Sequence, residues 1–143
     1  GHWGLSGPPI EEIDRGIRAY TSAGFKVMIT ELDVDELPRE GRGGGDLSAT
    51  QRSGADPYKK GLPPEVQKKL ADRYREIFRV LMRYPQVTRV TFWGSTDANS
   101  WLNNYPVGGR TNHAMLWDRQ YQAKPAFDAV FDVLTSSGAK PRS

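Results

Sequence analysis

The sequence contains no cysteine, so disulfides and thiolate metal sites are excluded, and the cysteine count leaves the compartment undecided. It has two histidines, His2 and His113, too few for a histidine metal cluster. Long apolar runs are also missing: nothing approaches the roughly 18 consecutive residues of a membrane span. No block of one charge stands out either. Twenty basic residues face 17 acidic ones, and the net charge of +3 is scattered, which points to neither a nucleic acid nor a membrane as partner. The opening Gly1-His2-Trp3-Gly4 looks like neither a signal peptide nor a natural start, and the chain reads as beginning inside a longer protein. What remains, 37% hydrophobic and 26% charged residues in 143, is the composition of one ordinary globular unit with a core.

Prolines and glycines punctuate the chain. Pro8 and Pro9 precede Ile10, Ile13, Ile17 and Tyr20, an apolar stripe at helical spacing that Gly24 ends. Phe25 to Val34 reads as a strand with apolar groups on both faces, Val27, Met28 and Ile29, as in parallel strands covered by helices on each side. Asp35 to Leu62 reads as one long glycine-rich loop, of the length that tends to be functional or disordered. A second helix begins at Pro63-Pro64, with Val66, Leu70, Tyr74, Ile77 and Leu81 on one face and Pro85 closing it. Val87 to Gly94 is a second strand, Ser95 to about His113 a polar loop, and Ala114 to Trp117 a short extended piece. A last helix starts at Pro125 with Phe127, Val130, Phe131 and Leu134 expected inside, and residues 136–143 form a polar, frayed tail. Alternating strands and helices imply a parallel α/β sheet, open or closed into a barrel. Two strands and a stub are too few for an open domain of this length.

Chemistry concentrates at two strand ends. In Val27 to Val34 the side chains alternate, so Val27, Ile29, Glu31 and Asp33 share a face with both carboxylates at the C-terminal end, where parallel α/β folds place their sites. The same two residues are also what a strand running out into solvent would carry. In Val90-Thr91-Phe92-Trp93-Gly94 the strand ends in a loop bearing Trp101 among Asn99, Ser100, Asn103 and Asn104. Tryptophan faces stack on sugar rings; a core role is the competing reading, less natural for Trp101 in so polar a setting. Asp46 and Asp56 are acidic loop residues for which solvation is a simpler account than calcium. Gly43-Gly44-Gly45 does not follow a strand as a phosphate loop would.

At these positions the sequence resembles glycoside hydrolase family 10, the endo-1,4-β-xylanases, over nearly its whole length. Gly1-His2 is similar to the end of the family's Gln-Gly-His motif on barrel strand six. Ile29-Thr30-Glu31-Leu32-Asp33 resembles the strand-seven motif, and Thr91-Phe92-Trp93-Gly94, Asp97 and Ser100-Trp101 resemble strand eight. Gly109-Arg110-Thr111-Asn112 and Lys124-Pro125-Ala126-Phe127 follow in family order. The resemblance implies the C-terminal part of a (β/α)8 TIM barrel, strands six (as a stub) to eight with their helices, so that residues 1–143 are one partial catalytic domain. It implies retaining hydrolysis of xylan or xylo-oligosaccharides without metal or cofactor, in a secreted or periplasmic protein. The catalytic set would be Glu31 as nucleophile, His2 bonded to it and Asp33 behind, with Trp93 and Trp101 as the sugar platform. The family's general acid, a Glu after an Asn at the end of strand four, is not in this chain, nor are the first five strands. The N-terminal half of the barrel is therefore the expected partner, and the chain alone is expected to be inactive. A non-catalytic carbohydrate-binding fragment, or a structural α/β fragment, would instead make the nucleophile incidental.

Overall fold

Paired prolines start the first two helices, because proline presets the helical backbone angle at the one place where its missing N–H costs nothing. A computed structural model describes residues 1–37 and 56–136. The element order is β1 (His2–Gly4), α1 (Ile10–Ser22), β2 (Val27–Asp35), α2 (Pro64–Leu81), β3 (Val87–Phe92), single 3-10 turns at Asp97–Asn99 and Trp101–Asn103, and α3 (Pro125–Ser136). The glycines at 41 to 54, Asp46 and the tail at 137–143 lie outside the described residues.

The three strands are parallel in the order β1-β2-β3. The short β1 pairs only with the far end of β2, His2 opposite Asp33 and Trp3 opposite Val34. This register brings residues about 30 positions apart in sequence to one strand end. On the covered face Leu32 and Val34 are fully buried and pack with Leu70, Tyr74, Ile77 and Phe78 of α2 and with Phe92 of β3. All five apolar positions expected to face inward on α2 do so. In α1, Ile13 and Ile17 are buried as expected, but Tyr20 is exposed; the stripe is narrowed by Asp14, which is buried and receives the Tyr84 hydroxyl at 2.7 Å and the Arg18 guanidinium.

Four expectations need correction. The strand begins at Val27, with Phe25 outside it and exposed, and it runs on to Asp35; Asp35, Glu36 and Leu37 are buried, so the segment read as a loop starts with inward-facing residues. The first half of β2 is not covered on both faces: Met28 is exposed, because the described helices layer over one side of the sheet only. Ala114 to Trp117 is not a strand: Ala114, Met115 and Leu116 are buried, Trp117 is exposed, and a single antiparallel bridge joins Trp117 to Ala123. In α3 the inward face is Ala126, Ala129, Val130 and Val133, while Phe131 and Leu134 are exposed and Phe127 is half-buried; Ser136 still belongs to the helix. Small alanines let α3 approach α2 closely, and the i, i+3, i+4, i+7 spacing selects that face over the bulkier residues.

Candidate active site

Glycine at position 1 makes the site possible. A side chain there would stand 2.9 Å from the Glu31 carbonyl oxygen and 3.0 Å from Ile29 Cγ2, distances that would push β1 away from β2. Without one, the Asp33 N–H reaches the Gly1 carbonyl at 3.2 Å, and His2 drops between two carboxylates. His2 Nε2 lies 3.0 Å from Glu31 Oε2, and Nδ1 lies 2.8 Å from Asp33 Oδ2. A ring protonated on both nitrogens can donate to both acids; a ring protonated once donates to one of them.

The two carboxylates differ sharply in environment. The Glu31 side chain is 41% exposed and its end faces open space; that of Asp33 is 0% exposed. Burial pushes the Asp33 carboxyl above the ordinary range, opposed by hydrogen bonds from the Trp101 indole and from His2. The Trp101 N–H donates to Asp33 Oδ2 at 2.7 Å, and its ring stands edge-on to His2, with centroids 4.8 Å apart. Tyr105 stacks on Trp101 at 5.2 Å. Ser100 caps the turn that carries Trp101, accepting the Leu102 N–H at 3.3 Å.

Glu31, His2, Asp33 and Trp101 thus form one bonded group at the strand ends. Trp93 stands outside it. Its backbone N–H donates to the Leu32 carbonyl at 2.9 Å, which keeps it at the end of the sheet; the residue is 47% exposed and makes no ring contact with Trp101 among the described residues. Gly94 follows with φ +153, and a Cβ there would meet Met115 Sδ at 3.1 Å, so the chain can turn away from β3 only with glycine at that point. A cavity of about 540 Å³ opens on the other side of His2, lined by Gly4, Ser6, Asp35, Glu36 and Tyr58 among others.

Behind this group stand residues to which the sequence reading gave no role, although Asp97, Asn112 and Lys124 lie in the stretches that resemble the family. Asp35 Oδ1 accepts the Asn112 side-chain amide at 2.8 Å, and Glu36 Oε1 accepts the His113 N–H at 2.7 Å. Burial raises Glu36 to about 7, with hydrogen bonds from the Glu36 and His113 backbone opposing it. Lys124 is buried with its amine on both Asp97 oxygens, at 3.0 and 3.1 Å, and on the His113 and Met115 carbonyls; burial lowers its pKa and Asp97 opposes the shift. Extending the alternation of β2 by one step would have found Asp35. Asn112 and Lys124 stand in short family-like stretches, but nothing in those stretches tells which distant groups they bond. Asp56, set aside as a loop residue, accepts the Thr111 N–H at 3.1 Å. No group of three or more histidines, cysteines or carboxylates among the described residues is placed to hold a metal ion.

The family model for glycosyl hydrolase family 10 matches residues 1–133. Endo-1,4-beta-xylanase A of Xylanibacter ruminicola is 39% identical over 136 residues, which is 92% of this chain and 37% of that protein. A solved GH10 endoxylanase retrieved from sugarcane soil metagenome superposes with a TM-score of 0.86 at 38% identity, over 92% of this chain and 39% of the other. Xylanase 10B from Thermotoga petrophila RKU-1, solved in complex with xylobiose, superposes at 0.70 with 25% identity, over 94% of this chain and 34% of the other. The chain spans between a third and two fifths of the length of each of these proteins.

Proposed function

This chain belongs to glycosyl hydrolase family 10, as the C-terminal part of its (β/α)8 barrel, and we propose that it supplies the nucleophile half of a retaining endo-1,4-β-xylanase. The observation that carries the proposal is the contrast between the two carboxylates on His2. Glu31 is exposed enough to reach a sugar and is held by the ring, while Asp33 is sealed and serves as the ring's second anchor. In this reading a Glu31 oxygen attacks the anomeric carbon as the glycosidic oxygen leaves with a proton, forming a glycosyl ester that water then hydrolyses. His2 and Asp33 are positioning residues, and Trp101 forms part of the wall on which a sugar ring stacks, with the exposed Trp93 at the end of β3 as a further platform residue.

Retention requires a second carboxyl about 5–5.5 Å from the nucleophile. Asp33 is committed to His2 and Trp101, and Asp35 and Glu36 are buried. From the family resemblance we infer that the proton donor lies in the N-terminal half of the barrel, which would also cover the outer edges of β1 and β3. Xylan and its oligosaccharides are the proposed substrates, as the xylobiose complex of the Thermotoga relative supports. The test uses the chain assembled with that half. A 2-fluoro-xylobioside should label Glu31, and Glu31→Gln should abolish turnover while xylan still binds. Labelling of another carboxylate would overturn the assignment.

A further inference from the structure

Alternation along β2 puts Glu31, Asp33 and Asp35 on one face, and each meets a different partner. Glu31 faces His2, Asp33 holds His2 and Trp101, and Asp35 holds Asn112. Asn112 is 1% exposed, so it cannot reach a substrate. Its backbone N–H donates to Asn103 Oδ1 at 2.9 Å, and Asn103 closes the 3-10 turn that Trp101 opens, its side-chain amide donating to the Asp97 and Ser100 carbonyls at 2.9 Å each. Arg119 adds bonds to Asn103 Oδ1 at 2.7 Å and to the Asn112 carbonyl at 3.1 Å.

These bonds close a circuit. It runs from the Trp101 indole to Asp33, along β2 to Asp35, across to Asn112, on to Asn103 and back through the turn to Trp101. The two points of attachment on β2 are two residues apart, about 6–7 Å along the strand. A flat ring held at one point can pivot about its bond; held at a second point through its turn, it has a fixed tilt. We propose that Asn112 is the positioning residue that sets the tilt of the Trp101 ring relative to Glu31, by tying the turn under that ring to the strand carrying the nucleophile. The inference rests on the sugar-wall reading of Trp101. Asparagine suits the place because its amide donates to a carboxylate that already accepts the Leu37 N–H at 3.1 Å. Aspartate there would set two acceptors against each other.

The chain has four tryptophans, hence four indole N–H signals in a proton–nitrogen NMR spectrum, and Trp101→Phe identifies the relevant one. Asn112→Asp should shift the Trp101 signal and speed its exchange with water about tenfold, the equivalent of one hydrogen bond, while Trp3, Trp93 and Trp117 keep theirs. The exchanged pair, Asn112→Asp with Asp35→Asn, presents donor and acceptor again with the roles reversed, and should bring the signal back. In the assembled enzyme Asn112→Asp should raise KM for xylo-oligosaccharides more than it lowers kcat. An unmoved Trp101 signal in Asn112→Asp would overturn the proposal, as would failure of the exchanged pair to restore it. Loss of all four signals in both variants would make Asn112 a folding residue and overturn it as well. The indole signal needs no substrate, so it can fail while Glu31 is labelled, or hold while Glu31 is not.

Discussion

Trp101 donates its indole N–H to a carboxylate, Asp33, that is wholly sealed from solvent, at 2.7 Å. A buried acid whose other oxygen has no hydrogen-bond partner among the described residues depends on each bond it keeps. Trp101→Phe retains the ring and removes the donor, and should cost about 1–3 kcal/mol. The bond favours the charged carboxylate. Because burial already raises the Asp33 pKa, the folded form gives up stability as pH climbs above the ordinary carboxylate range. The loss in the variant should therefore be larger at pH 7 than at pH 4, measured by urea denaturation. An equal loss at both would mean that the bond is not charge-assisted.

Glu36 provides a second pH dependence with the same sign. Its folded pKa of about 7 lies above the ordinary value of 4.5, so folding takes up a proton between the two. That contribution is fully present below pH 4.5 and is lost as pH rises through 7, a range worth roughly 3 kcal/mol. Glu36→Gln should flatten this part of the stability-against-pH curve; a slope unchanged by the substitution would assign the titration elsewhere.

The Asp97–Lys124 pair clasps the buried segment from His113 to Met115, since Asp97 Oδ1 also accepts the Met115 N–H at 2.9 Å. Lys124→Met removes one charge and leaves the other buried, which should destabilise by about 3–5 kcal/mol. A drop in stability under about 1 kcal/mol would show the pair to be dispensable.

By itself the chain should show no detectable hydrolysis of xylan. Adding the N-terminal half of a relative's barrel should restore turnover, because proton donation to the leaving oxygen typically contributes about 10²–10⁴-fold and that half also completes the sugar-binding groove. Reducing-sugar release by the chain alone would require an acid within it, and would refute the division of roles.

Local chemistry determined much of this protein. The prolines at 9, 63 and 64 mark helix starts, the spacing from Val66 to Leu81 defines the buried face of α2, and strand alternation alone sets Glu31 and Asp33 side by side. The family motifs, too, lie in short contiguous stretches. Partners distant in sequence were decided by tertiary structure. His2 reaches Glu31 and Asp33 through parallel register, and Trp101 reaches Asp33 from 68 positions away. Asn112 and Lys124 acquire their roles only because the chain after β3 folds back over the end of β2. The inward face of α3 also went to Ala126, Ala129, Val130 and Val133 rather than to Phe131 and Leu134, since close approach of two helices depends on the shape of the facing surfaces, and a count of apolar residues carries no shape.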